Sequence, residues 1–142
     1  MIDPIAAALS RGGVIDITTT GRTSGEPRRI EIVFHRIDGR MWISGTPSPR
    51  RRSWIANLEA DPRLTVHLKG PAATADLAAT ARIVDDPTER RHVLERVAQA
   101  WKRTDIDTMV AMSPLIEVTI SDPAVGAAST VPGAGTEATP AG

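Results

Sequence analysis

Apolar and polar residues alternate with a period of two along most of this chain, and that period predicts a β protein. Between Arg28 and Ile37, Ile30, Ile32 and Phe34 share one face while Arg29, Glu31, Val33 and His35 share the other. Arg63 to Lys69 alternates in the same way through Leu64, Val66 and Leu68, and Thr74 to Val84 through Ala75, Leu77, Ala79, Ala81 and Ile83. Val14 to Thr20, Met41 to Thr46 and Pro114 to Ser121 supply three further strands. Gly21 to Pro27 is dense in turn formers, and Asp38-Gly39 is a strong hairpin signal. Six strands with short turns predict a closed or split antiparallel barrel, a mainly β (α+β) domain.

Helical punctuation appears in three places. Pro4 to Arg11 reads as a short helix, with Asp3 as its cap and Gly12-Gly13 as its stop. Arg51 to Ala60 places Trp54 and Leu58 one turn apart and ends at Asp61-Pro62. Asp86-Pro-Thr-Glu89 resembles a capping box, and the helix it opens carries Leu94, Val97, Ala98 and Trp101 on one stripe. Two to three helices therefore flank the barrel, within one domain spanning residues 1–122. Residues 123–142, rich in Ala, Gly, Thr, Ser and Pro with Glu137 as the sole charge, read as a low-complexity, disordered tail.

Composition then narrows the chemistry. The chain has no Cys and no Tyr, one Phe and three Trp. Thiolate chemistry and cysteine-held metals are excluded, and none of the three histidines stands in a metal-binding spacing, so no metal site is expected. Asp16, Asp76 and Glu117 are strand carboxylates with no evident partner, and no nucleophile elbow occurs. No long apolar run and no secretory leader are seen, which makes a cytoplasmic protein without a transmembrane segment the expectation. Formal net charge is zero, yet residues 21–52 hold eight arginines against three carboxylates. Convergent charge of that kind suits an anion. Nucleic acid is not favoured, because the chain is neutral overall and lacks interleaved aromatics.

Three constellations are candidates. The Gly-bounded turn after the first strand offers backbone N–H groups with Arg22, Ser24, Arg28 and Arg29, a set suited to phosphate or carboxylate. Arg50-Arg51-Arg52 stands at a predicted helix N-terminus, where an anion is favoured. Trp54 and Asn57 share a broad helical face, an apolar wall beside an amide. Each has a plain counterpart: a solvated hairpin, a solubilising charge run, and a core Trp beside an Asn bonded to backbone.

Three of these strings in order resemble the deazaflavin-dependent nitroreductase family of the flavin/deazaflavin oxidoreductase superfamily. They are Ile17-Thr-Thr-Thr-Gly-Arg-Thr-Ser-Gly-Glu-Pro-Arg-Arg29, Asp38-Gly39-Arg40, and Trp54-Ile-Ala-Asn-Leu-Glu-Ala-Asp-Pro-Arg63. The likeness covers about residues 10–121 and implies a split β-barrel that binds coenzyme F420, an 8-hydroxy-5-deazaflavin carrying a phosphate and an oligoglutamate tail. It implies hydride transfer to or from a small organic substrate. Arg22, Ser24 and Arg28 match the turn that holds the anionic portion, with Arg29, Arg51 and Arg52 adding charge. Trp54 and Asn57 match residues near the ring and tail, and Gly45 and Thr46 match groups beside the ring. No residue is assigned as catalytic. The sequence departs from the family at Thr23 and at Ile30-Glu31, which suggests a divergent branch. The alternatives are a non-catalytic binder of a lipid-like acid such as a fatty acid, and an FMN-binding barrel; a homodimer is common among split barrels.

Overall fold

A computed structural model describes residues 4–70 and 73–121. Six strands run β1 (Gly13–Thr20), β2 (Pro27–Ile37), β3 (Arg40–Ser44), β4 (Arg63–Lys69), β5 (Thr74–Ile83) and β6 (Leu115–Ile120). Four helices accompany them: α1 (Pro4–Arg11), α2 (Ser53–Ala60), α3 (Pro87–Trp101) and α4 (Ile106–Met112). The strands form a closed antiparallel barrel in the order β1-β2-β3-β6-β5-β4, with β1 pairing β4 to complete the ring. The predicted architecture is thus the observed one. The β4–β5 ladder runs in unbroken register from Arg63↔Thr80 to Lys69↔Thr74, so no bulge interrupts it. Asp3 and the 123–142 tail lie outside the described residues.

The period of two is realised as two cores. Ile15, Ile17, Phe34, Met41, Ile43, Val66, Leu77 and Ile116 fill the barrel interior, together with Trp54, Ile55 and Leu58 from α2. A second core lies outside β3, where Trp42, Ile37 and Leu115 pack against Val93, Leu94 and Val97 of α3 and Met109 of α4. Hence β3 reads as a short continuous apolar run, buried on both faces. Trp42 donates its indole N–H to the Ile37 carbonyl at 3.1 Å, which satisfies its one polar atom.

Turn chemistry is local and explicit. Asp38 and Gly39 have φ of 55° and 73°, the left-handed pair that a two-residue hairpin needs. Asp86 caps α3 by accepting the Glu89 N–H at 2.9 Å, with Pro87 in the first turn. The α2 helix begins at Ser53, two residues later than expected, and Arg52 occupies its N-cap without a side-chain cap.

The fourth helix is the element that periodicity did not predict. It has seven residues, one of them fully buried, and its N-cap Asp105 makes no capping bond. A neighbour holds it instead. The Arg90 guanidinium donates to the carbonyls of Val84 (3.0 Å), Val110 (2.9 Å), Ser113 (2.6 Å) and Met109 (3.4 Å). The contacts to Val110 and Ser113 satisfy carbonyls that the end of α4 leaves open, while the Met109 carbonyl also accepts the Ser113 N–H at 2.8 Å. Burial among them lowers the Arg90 pKa below its ordinary value.

Candidate functional site

Two clefts flank the first turn of α2. The first is formed by the β1–β2 turn and α2, has a volume of about 680 Å³, and is lined by Thr19, Gly21 to Ser24, Pro27 to Ile30, Ser53, Trp54 and Asn57. The turn is closed by Gly21 N–H to Glu26 O and Gly25 N–H to Gly21 O, both at 2.8 Å. A Cβ on Gly21 would meet Ser24 Oγ at 2.7 Å and the Glu26 carbonyl at 3.2 Å, so only glycine permits this tight reversal.

Asn57 organises this cleft. It is 4% exposed, and its Oδ1 accepts both the Arg22 backbone N–H (3.1 Å) and the Arg22 Nη1 donor (3.3 Å). Its Nδ2 donates to the buried Thr19 hydroxyl at 3.1 Å. The amide is committed inside the protein, and it fixes Arg22. Arg28 reaches only the Ser24 hydroxyl, at 3.4 Å, while that oxygen also accepts the Glu26 N–H. Among the described residues neither Arg22 nor Arg28 has a carboxylate partner, so both charges remain available. Trp54, 8% exposed, belongs to the barrel core and presents little of its indole to the cleft.

Arg29 also lines this cleft, but Asp16 neutralises it at 2.8 Å. The Asp16 carboxyl is held below its ordinary range by hydrogen bonds from Lys69 and then from Arg29. The other strand carboxylates have partners too, contrary to the sequence expectation. Glu117 receives Arg40 and Arg82, and Asp76 receives His67 at 2.7 Å. The His67 ring bonds Thr18 Oγ1 at 2.6 Å through its other nitrogen. Cross-strand register, which residue spacing alone does not disclose, sets two of these pairs directly opposite each other: His67↔Asp76 and Arg82↔Glu117. Among the described residues no cluster of His, Asp and Glu is arranged to hold a metal ion.

Of the remaining predicted residues, Arg51 and Arg52 line the second cleft, of about 350 Å³, between residues 48–55 and the junction of α4 with β6. Arg51 is paired with Glu59. Arg52 donates from Nη2 to the Thr46 carbonyl (2.8 Å) and hydroxyl (3.2 Å). Gly45 lies under that guanidinium: a Cβ there would meet Arg52 Cζ at 3.3 Å and Pro114 Cγ at 3.1 Å. The ten predicted positions therefore divide. Arg22, Ser24, Arg28, Arg29, Trp54 and Asn57 share the first cleft and Arg51 and Arg52 line the second, while Gly45 and Thr46 line neither and only contact the Arg52 guanidinium. Sequence reasoning missed Thr19 as a buried member of the first, and Arg90, Met112 and Ser113 of the second. Only the tripeptide Thr18-Thr19-Thr20 beside the turn hinted at the former.

A family model described as F420H(2)-dependent quinone reductase matches residues 4–121. Among curated proteins none matches. Among solved structures, a conserved hypothetical protein of Mycobacterium tuberculosis aligns at 21% identity and TM-score 0.62, covering 82% of this chain and 78% of that one. An F420 reductase aligns at 19% identity and TM-score 0.61, covering 80% and 90%. An F420-H2 dependent reductase aligns at 22% identity and TM-score 0.55, covering 75% and 94%.

Proposed function

This chain belongs to the F420H2-dependent quinone reductase family, an oxidoreductase using coenzyme F420, and on that premise we propose that its first cleft anchors the coenzyme's anionic portion. The observation that carries the proposal is the pair of uncompensated guanidiniums at Arg22 and Arg28, set around a buried amide in a turn that excludes a Cβ. The donor set fits the group: charge from two arginines, a hydroxyl from Ser24, and an apolar margin from Ile30 and Trp54.

When bound, reduced F420 supplies a hydride to an electron acceptor. The chain's own residues bind and orient. Arg22, held at two points by Asn57, offers a charge whose position is fixed before the ligand arrives. Arg28 is tethered only to Ser24 and adjusts to the tail. Arg29 stands outside the anchoring set because Asp16 already neutralises it.

The test is calorimetric titration of F420 into the wild type, Arg28→Ala and Arg29→Ala. A charge-assisted bond contributes about 1.5–3 kcal/mol, so Arg28→Ala should weaken binding about tenfold or more. Arg29→Ala should bind within about twofold of wild type. Equal losses in the two variants would mean that the cleft answers to total charge and has no defined anchor.

A further inference from the structure

The second cleft is the larger puzzle, because its charge exceeds what its own residues use. Arg50 makes only a backbone contact, its N–H to Ser48 Oγ at 3.2 Å, and its guanidinium has no partner among the described residues. Arg52 commits Nη2 to Thr46 and leaves Nε and Nη1 uncommitted. Arg51 is cancelled by Glu59, and Arg90 is occupied with carbonyls. The cleft's one carboxylate, Asp85, acts on Arg90.

A second observation is independent of the arginines. Ser113 lines the same cleft and is 4% exposed, yet its hydroxyl is buried with no hydrogen-bond partner. A buried hydroxyl left unpaired costs free energy, and native proteins carry few of them. Its own backbone is fully used, the N–H by Met109 and the carbonyl by Arg90. Around it the lining is apolar: Ile55, Pro114, Leu115, and Met112, which is 46% exposed although it is a large hydrophobe.

We propose that this cleft receives the electron acceptor and selects a small organic acid with an apolar body. Its charge would meet Arg50 and Arg52, its body would lie on Met112 and Pro114, and the Ser113 hydroxyl, free of any partner that would hold it, would turn about χ1 to donate to one of its oxygens. A volume of about 350 Å³ accommodates a ring or short chain and little more. The proposal rests on the first cleft being the coenzyme's anchor. The two clefts share the first turn of α2 as a wall, with Ser53 and Trp54 on one side and Arg52 and Ile55 on the other.

The test uses the full chain and two acceptors that differ in charge, 1,4-naphthoquinone-2-sulfonate and neutral menadione, each reduced with F420H2. Binding of the non-reducible naphthalene-2-sulfonate is measured in parallel by calorimetry without coenzyme. Wild type should favour the sulfonate in kcat/KM by about tenfold, as one charge-assisted contact predicts. Arg50→Gln and Arg52→Gln should each lower that ratio several-fold and weaken naphthalene-2-sulfonate binding, with F420 Kd unchanged. Ser113→Ala should weaken naphthalene-2-sulfonate binding while leaving Tm the same or higher. Equal kcat/KM for both acceptors, or a loss of F420 affinity in the arginine variants, would overturn the proposal; the latter would give these arginines to the coenzyme. Failure of wild type to bind F420 would strike the first cleft instead, while the calorimetric result would still decide the second.

Discussion

The two clefts beside α2 are built from the same residue type, and within each the arginines differ in what holds them. Arg22 is fixed by the neutral amide of Asn57, and Arg52 by the carbonyl and hydroxyl of Thr46. Arg29 and Arg51 are fixed by the carboxylates of Asp16 and Glu59. Both arrangements order a long side chain, but only the first leaves its charge unspent. An arginine is thus a candidate anion site according to the chemistry of its tether, not its place in a cluster. The clefts also differ in support. The first stands on β1, β2 and α2, which the barrel core stabilises, while the second has one wall from α4, which depends on Arg90.

The largest expected effect breaks that difference in support. Arg90→Met removes a donor to four carbonyls; Met109 keeps the Ser113 N–H, and each buried acceptor left unpaired among the other three costs about 1–3 kcal/mol. Thermal unfolding should show a loss of about 3 kcal/mol or more, a fall in Tm of roughly 10 °C or more for a domain of this size. F420 affinity should stay within about twofold wherever the variant is folded, since the first cleft shares no partner with Arg90. A matching loss of coenzyme binding would show the clefts to be one unit.

Asn57 provides the next test. Asn57→Ala strands the Thr19 hydroxyl and the Arg22 N–H, which should cost about 1–3 kcal/mol and weaken F420 binding about tenfold. Asn57→Asp sharpens the comparison of tethers. A carboxylate there should hold Arg22 as well as the amide does while cancelling its charge. F420 binding should fall in this variant with less loss of Tm than in Asn57→Ala, and undiminished affinity would refute the argument from tethers.

A smaller effect belongs to neither cleft. His35 packs edge-on against Trp101 with ring centroids 5.4 Å apart, and burial lowers its pKa from the ordinary value near 6.5. Its Nε2 is buried without a partner. The unfolded chain then binds a proton at higher pH than the folded one. The contribution of His35 is present in full above about pH 6.5 and is lost as pH falls through that value toward the folded pKa. Chemical denaturation of wild type and His35→Phe across this window should show a steeper acid-side decline in wild type; parallel curves would remove His35 from the pH response.

Much of the barrel could be read in advance because its signals are local. Leu64, Val66 and Leu68 alternate, Asp38-Gly39 admits positive φ, and Asp86-Pro87 opens a helix, whatever the rest of the molecule does. α4 could not, since what ends it is a guanidinium about twenty residues upstream. The candidate site was legible to the same degree. The turn at Gly21 to Arg28 announces an anion site by its own composition. Which arginines stay unpaired depends on cross-strand and loop–helix contacts, Asp16 beside Arg29 and Glu59 beside Arg51, that no spacing rule supplies. Ser113 had no signal at all, because its importance is a missing partner.

Closure of the sheet bears on how copies of this chain can meet. With β1 bonded to both β2 and β4, every described strand has a neighbour on each side along part of its length, yet residues 27–33 of β2 pair only with β1, and residues 74–78 of β5 only with β4. A fully open sheet would offer whole strands to any passing extended peptide, itself included, whereas closure leaves only these part-strands. Self-association by backbone pairing is thus confined to these two short stretches, and Pro27, which has no N–H, removes a donor from the first of them.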